Sequence, residues 1–187
     1  MREQTRSDLF FFERSPRNIK RTAAAEIIKE LPPFVARVGV FVNETPEAIR
    51  QTIADCGLDT VQLHGDEPPF FSQQLPARAI KAFRVKGEET LQAMSAYKTE
   101  AWLLDTYAAG KMGGTGLTLD WSLARRAVQM SRMVILAGGL NPGNVEAAAR
   151  EVRPFGVDVS SGVESAPGRK DHSKVRDFIQ AAANARF

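Results

Sequence analysis

The residues most suited to chemistry lie late in the chain, in Phe155-Gly156-Val157-Asp158-Val159-Ser160-Ser161-Gly162-Val163-Glu164. Val157 and Val159 are β-branched, as a short buried strand requires. Ser160, Ser161 and Gly162 then offer backbone N–H groups and hydroxyls with almost no side-chain bulk, so an anion can approach the main chain. Taken alone, the three residues equally suit an ordinary strand-to-loop turn. Gly138-Gly139, however, follows another apolar run, Met133 to Ala137, one strand–helix unit earlier. Two successive strands ending in Gly or Ser, late in an alternating chain, suit a phosphate site built from the loops after a barrel's last two strands.

Asp105 follows Trp102-Leu103-Leu104, so its carboxylate belongs where an apolar strand meets the solvent. Partial desolvation there would raise its pKa and suit it to deliver a proton. A cap for the following loop is the alternative. His64 reads either as a ligand contact or as a satisfied histidine at a strand end. Arg17, in a Ser-Pro-Arg loop, can clamp a carboxylate with two parallel bonds or stand solvated.

These residues need a frame, and the apolar pattern supplies one. Strands are predicted at Leu9–Phe12, Val35–Val42, Thr60–Leu63, Arg78–Val85, Ala101–Leu104, 133–137 and 156–160. Between them, helical spacing places Ala24, Ile27, Ile28 and Leu31 on one face, then Ile49, Ile53 and Cys56, capped by Thr45-Pro46 and closed by Gly57. A short helix is expected over Glu67–Gln74 and another over Glu88–Ala96. A third runs from Trp121 to Gln129 with Asp120 as its cap. Val145, Ala148, Ala149 and Val152 face inward in the next. Behind an Asp171 cap, so do Val175, Phe178, Ile179 and Ala182. Seven strand–helix units of about 25 residues argue a single α/β domain with a parallel sheet and outer helices, one unit short of a (β/α)8 barrel. Arg17, Asn43, His64, Arg84, Asp105, Gly138-Gly139 and Asp158 to Gly162 all fall at strand ends and would share one rim. The irregular stretch Tyr107–Thr118, with four glycines, has the length of a functional lid.

Composition narrows the class. At 187 residues and 43% apolar content the chain can bury one good core. Its net charge of +3 is mild and interleaved, and no nucleic-acid motif accompanies it. No apolar run approaches the roughly 18–20 residues of a membrane span. The polar start, Met1 to Asp8, is no secretory signal. One cysteine, Cys56, excludes an internal disulfide and a cysteine-rich metal site. A soluble, cytoplasmic, globular protein is the expectation.

Several motifs, in order, resemble the phosphoribosylanthranilate isomerase family of tryptophan biosynthesis. They are Arg37-Val38-Gly39-Val40-Phe41-Val42-Asn43, Val61-Gln62-Leu63-His64-Gly65-Asp66-Glu67, Leu103-Leu104-Asp105-Thr106 and Gly113-Gly114-Thr115-Gly116. Gly138-Gly139-Leu140-Asn141-Pro142, Val157 to Glu164 and Pro167-Gly168-Arg169-Lys170-Asp171 complete the set. The resemblance implies a (β/α)8 barrel of the TIM-barrel type, without metal or organic cofactor. It implies an Amadori rearrangement of N-(5-phosphoribosyl)anthranilate. A general acid opens the ribose to an imine, and a general base removes the C2 proton to give an enolamine that becomes the ketone. By motif, Asp105 matches the acid and Arg17 the residue facing the anthranilate carboxylate. Gly139, Ser160, Ser161 and Gly162 match the phosphate cradle, and Asp158 lies beside the sugar.

One departure sets an expectation of its own. The family begins with a strand ending in Lys-Ile-Cys-Gly, whose cysteine is the base, and that strand and its helix are missing from the sequence. Cys56 closes a helix of about 11 residues, roughly 16 Å from the rim, and reads as an apolar filler. Impaired turnover is therefore expected, as is self-association through open sheet edges at residues 9–12 and 156–160. The alternative functions are a non-catalytic phosphate-ligand-binding or assembly protein, the isomerase part of a bifunctional protein, and another phosphosugar enzyme on the same fold.

Overall fold

The computed structural model describes residues 6–106, 121–131 and 133–185. The expected Asp120 cap and the Tyr107–Thr118 stretch lie outside the described residues. The chain forms two compact units, Met1–Ala82 with Tyr97–Glu100, and Phe83–Ala96 with Ala101–Phe187.

In the first unit β1 (Arg6–Phe10), β2 (Ala36–Phe41), β3 (Thr60–Leu63) and β4 (Arg78–Val85, of which 83–85 count to the second unit) run parallel in that order. Leu9, Gly39, Val61 and Ala79 stand in one register row. Leu9, Phe41, Val61, Leu63 and Ala79 pack against Ala24 and Ile28 of α1 (Arg21–Glu30) and against Ile49 and Cys56 of α2 (Pro46–Cys56). Gly39 makes this packing possible, because a Cβ there would stand 2.6 Å from Leu58 Cδ1 and 2.7 Å from Phe41 Cε2. Helix α2 begins as its sequence predicts: Thr45 Oγ1 accepts from the Ala48 N–H at 3.2 Å, and Gly57 ends it with φ 71°.

Three expectations for this unit need correction. Strand β1 starts at Arg6 and ends at Phe10, because Arg6, Ser7 and Asp8 pair with Ala36, Arg37 and Val38 while the Arg6 and Asp8 side chains form an ion pair at 2.9 Å. Ile27 is 43% exposed, so α1 buries a narrower face than its spacing suggests. The helix expected over Glu67–Gln74 is only a 3-10 turn, Phe71–Gln74. Pro68 and Pro69 supply no N–H and push their predecessors out of the helical region.

The second unit holds β5 (Ala101–Thr106), β6 (Val134–Leu136) and β7 (Gly156–Val157), parallel and in that order. Its helices are α3 (Glu88–Met94), α4 (Trp121–Met130), α5 (Val145–Val152) and α6 (His172–Asn184). All four predicted residues of α5 are buried. In α6 Asp171 caps the Ser173 and Lys174 N–H groups as expected, but Ile179 is 47% exposed and only Phe178 is fully inside. Strand β7 stops at Val157, short of the expected residue 160, because the chain turns away into a 3-10 turn at Ser161–Val163. An antiparallel hairpin that the alternating pattern gave no sign of, β8 (Glu164–Ala166) with β9 (Arg169–Lys170), follows. The seven parallel strands keep the α/β class expected from the sequence. Among the described residues no helix is long and apolar enough to cross a membrane.

Candidate active site

In the second unit, parallel pairing puts the C-terminal ends of β5, β6 and β7 side by side. Asp105, the penultimate residue of β5, is half-buried there. The Ala137 N–H donates to Leu104 O at 2.8 Å, carrying the β6 chain past the end of the ladder. Gly138 and Gly139 then take φ of 73° and 69°, a left-handed pair that a side chain would strain. The turn they make is held by Asn144, whose Nδ2 donates to Gly139 O at 3.1 Å while its Oδ1 accepts from the Asn141 N–H at 2.8 Å.

The neighbouring loop closes on this turn. The Asp158 N–H donates to Leu136 O at 2.8 Å, and the small residues 160–162 follow. A Cβ on Gly162 would collide with the Leu140 carbonyl oxygen and lie 3.2 Å from Asn141 Cα, so the two loops meet backbone to backbone. Lys170 Nζ donates to Ser160 O at 2.8 Å and pairs with Glu164 Oε1 at 3.1 Å. The structure thus brings Asp105, Gly138-Gly139 and Asp158 to Gly162 to adjacent strand ends. Small-residue turns are the kind of backbone that can take an anion, and the Asp105 carboxyl stands at the neighbouring strand end.

In the first unit the corresponding ends of β1, β2 and β3 carry Arg17, Asn43 and His64. The Arg17 N–H donates to Ser15 Oγ at 3.1 Å, which fixes the Ser-Pro-Arg turn. Asn43 sits at φ 53°, and its Oδ1 accepts from the Asp66 N–H at 2.6 Å. His64 is half-buried, with Nδ1 3.0 Å from Gln62 Nε2. Arg84 is exposed within β4, not past its end.

Beneath these loops lies a pair that sequence reasoning missed. Lys81 and Glu67 meet at 3.0 Å with side chains 3% and 2% exposed. Glu67 also accepts the N–H groups of Asn43 (2.8 Å) and Gly65 (3.0 Å), and Lys81 donates to Gly65 O (2.7 Å) and Leu63 O (3.2 Å). The Tyr97 hydroxyl donates to Glu67 O at 3.2 Å. Burial foremost, then the Glu67 and Asp66 carboxylates, pushes that phenol's pKa up. The signal was a lysine inside Ala79-Ile80-Lys81-Ala82-Phe83, where an apolar strand has no use for a charge without a partner.

Cys56 ends α2, 4% exposed, with Sγ donating to Arg21 O at 3.4 Å. Burial foremost and the Asp55 carboxylate push its thiol pKa up, against the opposing pull of Arg21. It is the filler expected from its position. A cavity of about 340 Å³ lined by Arg21, Thr22, Ala25, Glu26 and Asp55 lies along α1 and α2, where Arg21 pairs with Asp55 at 2.9 Å and Glu26 with Lys29 at 2.7 Å. Among the described residues no group of three or more His, Cys, Asp or Glu is placed to hold a metal ion.

Known proteins match this arrangement along nearly the whole chain. A family model described as N-(5'phosphoribosyl)anthranilate (PRA) isomerase matches residues 1–181. An N-(5'-phosphoribosyl)anthranilate isomerase from Trichlorobacter lovleyi is 50% identical over 175 residues, 94% of this chain and 85% of that protein. The crystal structure of phosphoribosyl anthranilate isomerase from Thermotoga maritima superposes with a TM-score of 0.89 at 43% identity, over 95% of this chain and 87% of that one. A crystal structure of such an isomerase in complex with reduced 1-(o-carboxyphenylamino)-1-deoxyribulose 5-phosphate matches with a TM-score of 0.85 at 42% identity, with the same coverage. With a family match over almost its full length and half its residues shared with a curated relative, the chain belongs to the N-(5'-phosphoribosyl)anthranilate isomerase family.

Proposed function

We propose that Asp105 is the general acid of the isomerase reaction, and that Gly138, Gly139, Ser160, Ser161 and Gly162 cradle the substrate phosphate. The observation that carries this reading is the adjacency of a half-buried carboxyl and two backbone-lined turns at the ends of β5, β6 and β7. Asp105 gives its proton to the ribose ring oxygen as the C1–O bond breaks, leaving an imine. A base, in the family the cysteine of Lys-Ile-Cys-Gly, then takes the C2 proton to give the enolamine, which tautomerises to the ketone. By the family resemblance Arg17 meets the anthranilate carboxylate, Asp158 lies beside the sugar, and His64 is a further substrate contact. No metal or organic cofactor enters the scheme, and the reaction belongs in the cytoplasm.

Cys56 cannot be the base: it is buried at the far end of α2 from Thr45 and bonded to Arg21 O. Residues 1–187 hold no thiol but Cys56, so by themselves they are expected to turn over at least about 100-fold more slowly than when a positioned base is supplied, the lower end of what such a base contributes. Steady-state assay on N-(5-phosphoribosyl)anthranilate, with and without a peptide bearing a Lys-Ile-Cys-Gly strand and its helix, tests this. Activity that appears with the peptide and is lost again in Asp105→Asn supports the assignment. Full activity from the chain alone would replace it. The buried state of Cys56 also favours a second reading, a phosphate-ligand-binding protein without catalysis. Tight binding of the reduced product analogue with no turnover under either condition would select it. Among the described residues β2 is the one strand paired with β1 and β6 the one strand paired with β7, and Asn18 bridges only Phe10 at the end of β1. We accordingly propose self-association through these edges, which a monomer by light scattering at micromolar concentration would contradict.

A further inference from the structure

Gln62, 3% exposed in β3, stands two residues before His64, so their side chains leave the same face of the strand. Its Nε2 lies 3.0 Å from His64 Nδ1. Its Oε1 accepts from Arg6 Nη2 at 3.2 Å, and the same Arg6 nitrogen donates to Asp8 Oδ2 at 2.9 Å. Hydrogen-bond chemistry fixes the amide's direction. A guanidinium only donates, so the amide atom facing Arg6 is the oxygen. The atom facing the ring is then the NH2 group, another donor. Nδ1 must accept, and a neutral imidazole that accepts at Nδ1 carries its proton on Nε2.

We propose that Arg6 and Gln62 are positioning residues that lock His64 as the neutral Nε2–H tautomer, making it a hydrogen-bond donor to an oxygen of the bound substrate. The identity of that oxygen's owner rests on the isomerase reading; the tautomer does not. Glutamine is the side chain this task requires. A glutamate at 62 could only accept and would draw a proton onto Nδ1. Asp8 completes the series by holding Arg6 against the amide oxygen, its side chain 17% exposed and that of Arg6 18%.

Two-bond ¹H–¹⁵N correlation spectra of histidine-labelled protein read the tautomer directly, at about pH 8, where an ordinary imidazole is neutral. The chain has only 2 histidines, His64 and His172, and His172→Gln leaves the ring of interest alone. The expected spectrum shows a protonated Nε2 and an unprotonated, accepting Nδ1. Gln62→Glu should move a proton to Nδ1, and Arg6→Met should give a mixture as the amide becomes free to turn. Gln62→Glu should also weaken binding of the reduced product analogue by about tenfold, one bond to a charged group, while Gln62→Met, which leaves either tautomer open, weakens it less. A parent spectrum with Nδ1–H dominant or with equal tautomers would overturn the proposal, as would analogue binding unmoved by Gln62→Glu. Failure of the isomerase reading looks different: the parent would ignore the analogue while its tautomer remained as stated.

Discussion

The loop from His64 to Glu67 and the loop from Ser160 to Gly162 both follow short parallel strands, and a lysine ties down each. The two lysines work in opposite surroundings. Lys81 is 3% exposed and has its ammonium surrounded by Glu67 and backbone carbonyls. Lys170 is 43% exposed and reaches over the surface to Ser160 O and to Glu164, which is itself 6% exposed. The first is part of the core and the second a tether. Electrostatics scale accordingly: removing one member of a buried pair strands a charge in low dielectric, whereas water replaces much of an exposed pair. The first loop is therefore expected to be set when the protein folds, and the second, under the proposed phosphate assignment, to gain order when an anion binds.

The comparison breaks most visibly at Lys81. Lys81→Met is expected to cost about 3–5 kcal/mol, because Glu67 would stay buried as a carboxylate with only the Asn43 and Gly65 N–H groups left to it. Urea unfolding of the variant beside the parent measures this directly. A loss under about 1 kcal/mol, the range of an exposed pair, would mean that water reaches Glu67 and that the contrast between the loops is false.

How much of this was legible in the sequence follows the same division. The strand ends at Asp105 and Gly138-Gly139 were readable because the apolar runs end abruptly in charged or small residues there, whereas β7 ends at Val157, before the Ser160 to Gly162 cluster that the sequence marks. Helix α2 was readable down to its cap, since Thr45-Pro46 and Gly57 act through their own backbone. The Lys81–Glu67 pair was not, because it joins residues 14 apart whose types signal nothing until the turn between them places them together. The Arg6–Gln62 contact, 56 residues apart, was still further from view, because Arg6 precedes the apolar run Leu9–Phe12 by which the sequence marks the first strand. Exposed Ile27 and Ile179 mark the opposite error, apolar spacing that continues past the face the neighbours cover.

Gly162 sharpens the comparison from the other loop. An alanine there would push its Cβ into the Leu140 carbonyl, and because the obstacle is backbone the two turns must part. Gly162→Ala is expected to cost about 1–3 kcal/mol of stability, as overpacking does. KM for the phosphorylated substrate should rise by roughly tenfold to a hundredfold, since displacement near 1 Å is enough to spoil binding geometry. Isothermal titration with the reduced product analogue separates the two effects, because a purely structural lesion would lower the midpoint of unfolding and leave the affinity of the folded fraction unchanged.

Lys170 should give the smallest effect on stability and the most informative split. Lys170→Met removes one 3.1 Å pair with Glu164 and the 2.8 Å bond to Ser160 O. Exposure limits the cost to about 1 kcal/mol, the upper end for surface pairs, because Glu164 is the less solvated partner. What changes is the order of the 160–162 turn before ligand arrives, so affinity for the reduced product analogue should fall a few-fold. Lys170→Arg, which keeps the charge, should restore most of it. The order of the two lysine variants is therefore expected to invert between assays, with Lys81→Met worse in urea and Lys170→Met worse in analogue binding per folded molecule. If Lys81→Met led in both, the buried pair would be shaping the phosphate loop as well, and the two loops would share one support.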